Sequence, residues 1–204
     1  RFSSLPKKSA PKLKVTPESI KKKKTIVHRK MPIKQTYMVI GYIAADRRSE
    51  DSYVFDIIQA ILGRGISGRL FDEIRTKRGL GYDVGCHYSD NRHYGFIASY
   101  VTTDKDKTSL AKKIILEQFQ NIDDISVQDL KDAKAYIEGE FALHNEDTMN
   151  RADNLGFFDY VDDAKMFSDY IKKVKKVTVA DIRRVKEKYL RPDAYTQIVL
   201  DQKE

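Results

Sequence analysis

The sequence predicts an α+β fold, with helices packed on a mainly antiparallel sheet. Three observations lead there. Five segments are rich in β-branched and aromatic residues and alternate their side chains. The segments between them repeat apolar residues at helical spacing. Their order is two strands, two helices, a hairpin, a run of helices and one last strand, which describes an α+β layer.

Residues 1–20 hold Pro6, Pro11 and Pro17 among Ser and Lys, the composition of an extended linker. A short strand is expected near residues 25–29 and a longer one over 33–45. Residues 49–62 carry Val54, Phe55, Ile57, Ile58, Ile61 and Leu62, a wide apolar stripe stopped by Gly63. A second helix is expected with Ser67 as its N-cap and Leu70, Phe71 and Ile74 on one face, ending at Gly79 and Gly81. Residues 82–88 and 94–102 form the arms of a hairpin, with its turn at 89–92. Helical spacing resumes over 105–122, with Leu110, Ile114 and Phe119. Ser126 with Asp129 resembles a capping box that opens a long helix reaching about residue 145. Helices over 151–161 and 164–177 come next. Thr178 and Asp181 cap another, with Ile182, Val185 and Tyr189 on its inner side and Pro192 as its stop. Residues 194–200 alternate as a closing strand.

Bulk properties narrow the function. A chain of 204 residues is long enough for one domain with a real core. The expected organisation is a basic extended arm, 1–24, followed by a single domain, 25–204. The opening residue is Arg1 and not Met, and the linker composition after it points to an upstream half. No apolar stretch approaches the roughly 20 residues that span a bilayer, and no secretory signal is visible. The formal charge of +8 suggests nucleic acid until it is located. Residues 1–34 hold 12 basic side chains against one acid, Glu18, whereas the remainder holds 26 against 29. The folded part is slightly acidic, so it lacks the basic patch a nucleic-acid-binding domain needs. The lysine run at 21–24 has the character of a solvated edge or linker. Steeply salt-dependent DNA binding, lost on deleting residues 1–34, would be needed to support a nucleic-acid or membrane tether there.

Metal and nucleophile chemistry find little support in the motifs. Cys86 is the one cysteine, so neither an intrachain disulfide nor a multi-cysteine zinc site is available, and its place in a strand fits a small buried hydrophobe. His28, His87, His93 and His144 include no pair three or four residues apart, the spacing a helical zinc site requires. His87 and His93 flank the hairpin turn without a convincing third ligand, and His144 with Glu146 has the character of a solvated pair. No Ser/His/Asp or Cys/His set can be assembled from local motifs. The three glycines over 63–68 match a dinucleotide fingerprint, but a helix precedes them where that fingerprint needs a strand.

The informative segment is residues 70–82, Leu-Phe-Asp-Glu-Ile-Arg-Thr-Lys-Arg-Gly-Leu-Gly-Tyr. It sets Arg75 at a helix end and Tyr82 at a strand start, with two glycines letting the backbone turn between them. Both side chains are donors, and the Arg fork keeps its charge. Aimed into one cleft they would hold the carbonyls of an extended peptide. On spacing alone the stronger reading is a surface charge and an ordinary strand aromatic.

This segment resembles the signature of the C-terminal, non-catalytic half of the insulinase/pitrilysin family, which includes the mitochondrial processing peptidases. A glycine-rich turn, Leu70, Phe71, Arg75, Gly79, Leu80, Gly81 and Tyr82 fit position by position. Gly68 departs, standing where relatives often carry a small polar residue. The resemblance extends over roughly residues 25–200. It implies a clamshell of two homologous halves, with zinc on a His-x-x-Glu-His helix (the inverzincin arrangement) in the catalytic half. The second half would contribute Arg75 to the substrate backbone and Tyr82 to the scissile carbonyl. No His-x-x-Glu-His occurs in this sequence. The expectation is therefore a substrate-holding half of a zinc metalloendopeptidase, inactive alone and binding no cofactor, with zinc in a homologous partner domain or subunit. A non-enzymatic scaffold subunit of the same fold is the alternative, and the presence of both Arg75 and Tyr82 favours the former.

Overall fold

A computed structural model of the chain describes residues 14–16 and 18–203. The linker prolines Pro6, Pro11 and Pro17 lie outside those residues, so the expected arm is described only in part. Among the described residues there are five strands: β1 (Thr25–Met31), β2 (Thr36–Ile43), β3 (Gly81–Asp90), β4 (Gly95–Thr103) and β5 (Tyr195–Gln202). They form one sheet in the order β1-β5-β2-β4-β3. The β1–β5 pair is parallel and every other neighbour is antiparallel. The result is a mixed, mostly antiparallel sheet with helices, the predicted α+β class. The hairpin turn falls later than expected, at residues 91–94, because the ladder runs on to Asp90–Gly95. It is closed by the Asn91 N–H donating to the Tyr94 carbonyl (2.9 Å).

Six α-helices accompany the sheet in the described residues: α1 (Asp51–Gly63), α2 (Thr108–Gln120), α3 (Val127–His144), α4 (Thr148–Val161), α5 (Lys165–Lys176) and α6 (Val179–Tyr189). Nearly every side chain of α1 is buried, since the sheet packs on one side of it and α3, α5 and α6 on the others. That is why its apolar stripe is so wide in the sequence. Both expected capping boxes form. The Ser126 hydroxyl accepts the Asp129 N–H at 3.0 Å while the Asp129 carboxylate accepts the Ser126 N–H at 2.9 Å. Thr178 and Asp181 repeat the exchange at the start of α6. These bonds satisfy donors that every helix N-terminus leaves free.

Side-chain alternation splits the sheet. Met38, Ile40 and Tyr42 of β2 point into the core with Ile97, Val101 and Val199. The Tyr42 ring meets Phe119 of α2 edge-on at 5.0 Å. The opposite face carries Tyr37, Val39, Phe96, Tyr100 and Ile198, all substantially exposed. Val39 lies between Tyr100 and Ile198 in register, so these residues form a contiguous apolar surface. The lysine run at 21–24 is largely exposed, with the Lys21 ammonium donating to the Thr25 hydroxyl at 3.3 Å. Among the described residues, no helix is long and apolar enough to cross a membrane.

Candidate functional site

The Arg75–Tyr82 segment rests on two buried anchors, Leu70 and Ile74, each with no exposed surface. Ser67 does not cap the helix here. It belongs to a 3-10 turn, Gly65–Ser67, and its N–H is taken by the Arg64 carbonyl (3.2 Å). Beyond it the chain enters a π-helical turn, Phe71–Thr76, in which the Lys77 N–H reaches the Asp72 carbonyl five residues back (2.9 Å). Such wide turns re-aim the side chains beyond them and recur at functional sites. The end of the helix is widened as well: the Leu80 N–H bonds the Ile74 carbonyl (2.9 Å) and the Gly79 N–H bonds the Arg75 carbonyl (3.0 Å). Each bond spans one residue more than in an ordinary Schellman closure.

Both glycines are required. Gly79 has φ +58°, which a side chain at that position rarely adopts. A Cβ on Gly81 would lie 2.7 Å from the Val101 side chain and 2.9 Å from the Thr102 carbonyl. The Thr103 hydroxyl also donates to the Leu80 carbonyl, fastening the turn to β4.

This scaffold brings the two predicted residues together. The Arg75 guanidinium donates to the Tyr82 carbonyl at 2.9 Å and lies 4.6 Å from the Tyr82 ring centroid. The Phe71 ring approaches it as well, at 5.0 Å. Neighbouring cations are tied down: Lys77 and Arg78 both bond Glu73, at 2.6 and 2.5 Å, and Lys77 is the leading cause of the lowered Glu73 pKa. Among the described residues, Arg75 has no carboxylate partner. Tyr82 is 74% exposed. Both line an open cleft of about 340 Å³ with Gln35, Leu80, Thr102 and Asp104. A guanidinium between two rings, its fork only partly used, beside an accessible phenol is an arrangement that can receive carbonyl oxygens.

The other candidates lie elsewhere. Cys86 is buried in β3, and burial pushes its thiol up to about 12. His28 pairs with Asp201 at 2.6 Å, linking β1 to β5. His144 and Glu146 are exposed and form no ion pair with each other. Among the described residues, no group of three or more His, Cys, Asp or Glu side chains is placed to hold a metal ion.

Sequence reasoning missed a larger cavity, of about 570 Å³, between α1, α3 and α4. Arg47 lies at it, 6% exposed, forked onto Asp56 at 2.8 and 3.0 Å and bridged to Asp90. Burial opposes the Arg47 charge, but the two carboxylates outweigh it and raise its pKa. Asp56, Gln59 and Ala60 line the cavity at the spacing a His-x-x-Glu-His helix would use. They do not suit a metal: Asp56 is committed to Arg47, the Gln59 carbonyl accepts the Tyr88 N–H at 2.5 Å, and Ala60 offers no donor. The cluster was hidden because its members are scattered through the chain.

With this geometry in place, comparison with known proteins locates the chain among its relatives. Residues 1–137 match the family described as the peptidase M16 inactive domain. An uncharacterised zinc protease of Bacillus subtilis, YmxG, is 25% identical over 130 residues, covering 63% of this chain and 32% of that protein. The chain therefore spans about a third of the length of the curated relatives it matches. The crystal structure of a protease from Helicobacter pylori superposes with a TM-score of 0.83 at 19% identity, covering 96% of this chain and 48% of the other. A peptidase M16 inactive domain from Pseudomonas fluorescens superposes with a TM-score of 0.79 at 22% identity, covering 96% and 48%.

Proposed function

The chain belongs to the peptidase M16 inactive-domain family, and from that premise we propose that it is the peptide-holding half of a zinc-dependent endopeptidase. It is a non-catalytic domain of that peptidase class. Its described residues supply no donor set for zinc, which belongs in this reading to a homologous partner domain or subunit. The curated relatives carry the description zinc protease and are about three times as long as the matched region, which leaves room for such a half. The exposed apolar sheet face offers a surface for it to cover.

The observation that carries the reading is the Arg75–Tyr82 geometry. Arg75 bonds the Tyr82 main chain and lies over its ring, so it orients Tyr82, and as a residue lining the cleft it keeps further N–H groups to offer there. In the proposed complex those groups donate to carbonyls of an extended peptide. The Tyr82 hydroxyl donates to the scissile carbonyl oxygen and strengthens that bond as charge develops there. A single donor of this kind is worth about 2.7–4 kcal/mol in the transition state. Arg75→Ala and Tyr82→Phe, each in the chain assembled with its zinc-bearing half, should therefore lower kcat/KM on a peptide by about a hundredfold or more. Near-wild-type rates in both variants would overturn the assignment and leave the scaffold alternative.

A further inference from the structure

The cavity between α1, α3 and α4 shares no lining residue with the Arg75–Tyr82 cleft, and its chemistry differs. At its inner end the Arg47 guanidinium is shared by Asp56, which lines the cavity, and by Asp90, which does not. That cluster has two carboxylates for one guanidinium. Burial accordingly pushes the Asp90 carboxyl up, against the pull of Arg47. Glu140 of α3 adds another carboxylate at the cavity, exposed and with no ion-pair partner among the described residues. Its neighbour Glu138 is by contrast taken by Lys175 at 2.6 Å. The lining, which also includes His87 and His144, therefore has two carboxylates, Asp56 and Glu140, to one guanidinium.

Its walls are aromatic. Tyr136 lies one turn before Glu140 on the same side of α3, and its ring has no aromatic partner among the described residues. Phe157 of α4 makes one ring contact, edge-on to Phe158 at 5.6 Å. Aromatic faces beside carboxylates select an organic cation. A planar guanidinium suits them better than an ammonium, because it is less strongly hydrated, stacks on rings and forks onto a carboxylate. This protein sets its own guanidinium groups against rings: Arg47 lies 5.6–5.8 Å from the rings of Tyr53, Tyr88 and Tyr170, and Arg92 lies 5.9 Å from Tyr160. An anion would meet the excess carboxylates, and an uncharged apolar group would desolvate Glu140 without a partner.

We propose that this cavity binds a guanidinium group carried on a short apolar stem, stacked against Tyr136 and Phe157 and forked onto the Glu140 carboxylate. The stem belongs either to a free alkylguanidine or to the arginine side chain of a peptide, since the group recognised is the same.

The test is an NMR titration of the isotope-labelled chain with n-butylguanidine and with N-acetyl-arginine-N-methylamide, using 1-pentanol as the uncharged control. Both guanidines are expected to shift resonances of Tyr136, Glu140 and Phe157. Glu140→Gln, at an exposed position, should weaken binding by about tenfold with an unchanged far-UV spectrum. Phe157→Leu should weaken both guanidines more than pentanol. The tighter of the two guanidines identifies the source, and either ordering supports the site. The proposal is overturned if pentanol binds as tightly, if Glu140→Gln leaves the affinity unchanged, or if neither guanidine shifts those residues.

Discussion

Asp51, the first residue of α1, is held almost entirely out of water, yet it stays charged. Burial pulls its carboxyl upward, but three donors from α6 more than offset this: Arg184 at 2.5 Å, Lys188 at 2.8 Å and Tyr189 at 3.0 Å. Its pKa in the folded chain is therefore below the ordinary 3.8. A carboxyl lowered by folding contributes stability above the unfolded pKa and loses it as pH falls through the folded one. Asp51→Asn should lower the unfolding free energy by about 2 kcal/mol at pH 7. In urea titrations across pH the gap between variant and wild type should hold steady above about pH 5 and close below 3.8. A gap that widened on acidification would contradict this account. None of the α6 donors is a sequence neighbour of Asp51, so the cluster was not legible from the sequence. The same applies to Arg47 with Asp56 and Asp90. Spacing and the two glycines showed only that a turn joins Arg75 to Tyr82; it was the family resemblance of residues 70–82 that singled the pair out.

At the level of elements, what the sequence revealed depends on the range of the interactions involved. The capping boxes of α3 and α6 are local bonds between residues three apart, and both form where they were expected. Ser126→Ala and Thr178→Ala should each cost about 1 kcal/mol, measurable as a lower denaturation midpoint at unchanged slope. Strands and helices set by periodicity are also in place, with ends displaced by a few residues. The hairpin turn moved because a ladder continues as far as its hydrogen bonds can pair, which the turn-forming residues alone do not reveal. The π turn was invisible for a different reason. Leu70, Phe71 and Ile74 fit an ordinary helix equally well, and only a hydrogen bond moved from the fourth to the fifth residue distinguishes the two. Ser67 failed as a cap because it lies inside the preceding 3-10 turn, and the extended position that a cap occupies falls to Gly68, whose carbonyl accepts the Asp72 N–H (3.1 Å).

For the molecule as a whole, the unpartnered sheet face is the feature with the most direct test. Lysine at Val39 and Tyr100 together places two charges on a surface that is apolar but already solvated. Val39→Lys/Tyr100→Lys should leave the folded chain within about 1 kcal/mol of wild type, while weakening its assembly with a zinc-bearing half. Sedimentation of the mixed halves would report the loss, and unimpaired assembly would show that the partner docks elsewhere.

The strand order has a consequence for how the chain is made. β5 is the last of these strands translated, yet it lies between β1 and β2 and is the sole link from β1 to the rest of the sheet. While a ribosome is still adding α3 to α6, β1 has no neighbour to pair with and one edge of β2 stays open. The sheet closes only after residues 195–202 have emerged, so a ribosome paused before that point would hold a three-stranded core with an exposed flank. A chaperone that binds extended apolar segments should therefore be retained on arrested nascent chains ending near residue 190 and released from those carrying β5 beyond the exit tunnel.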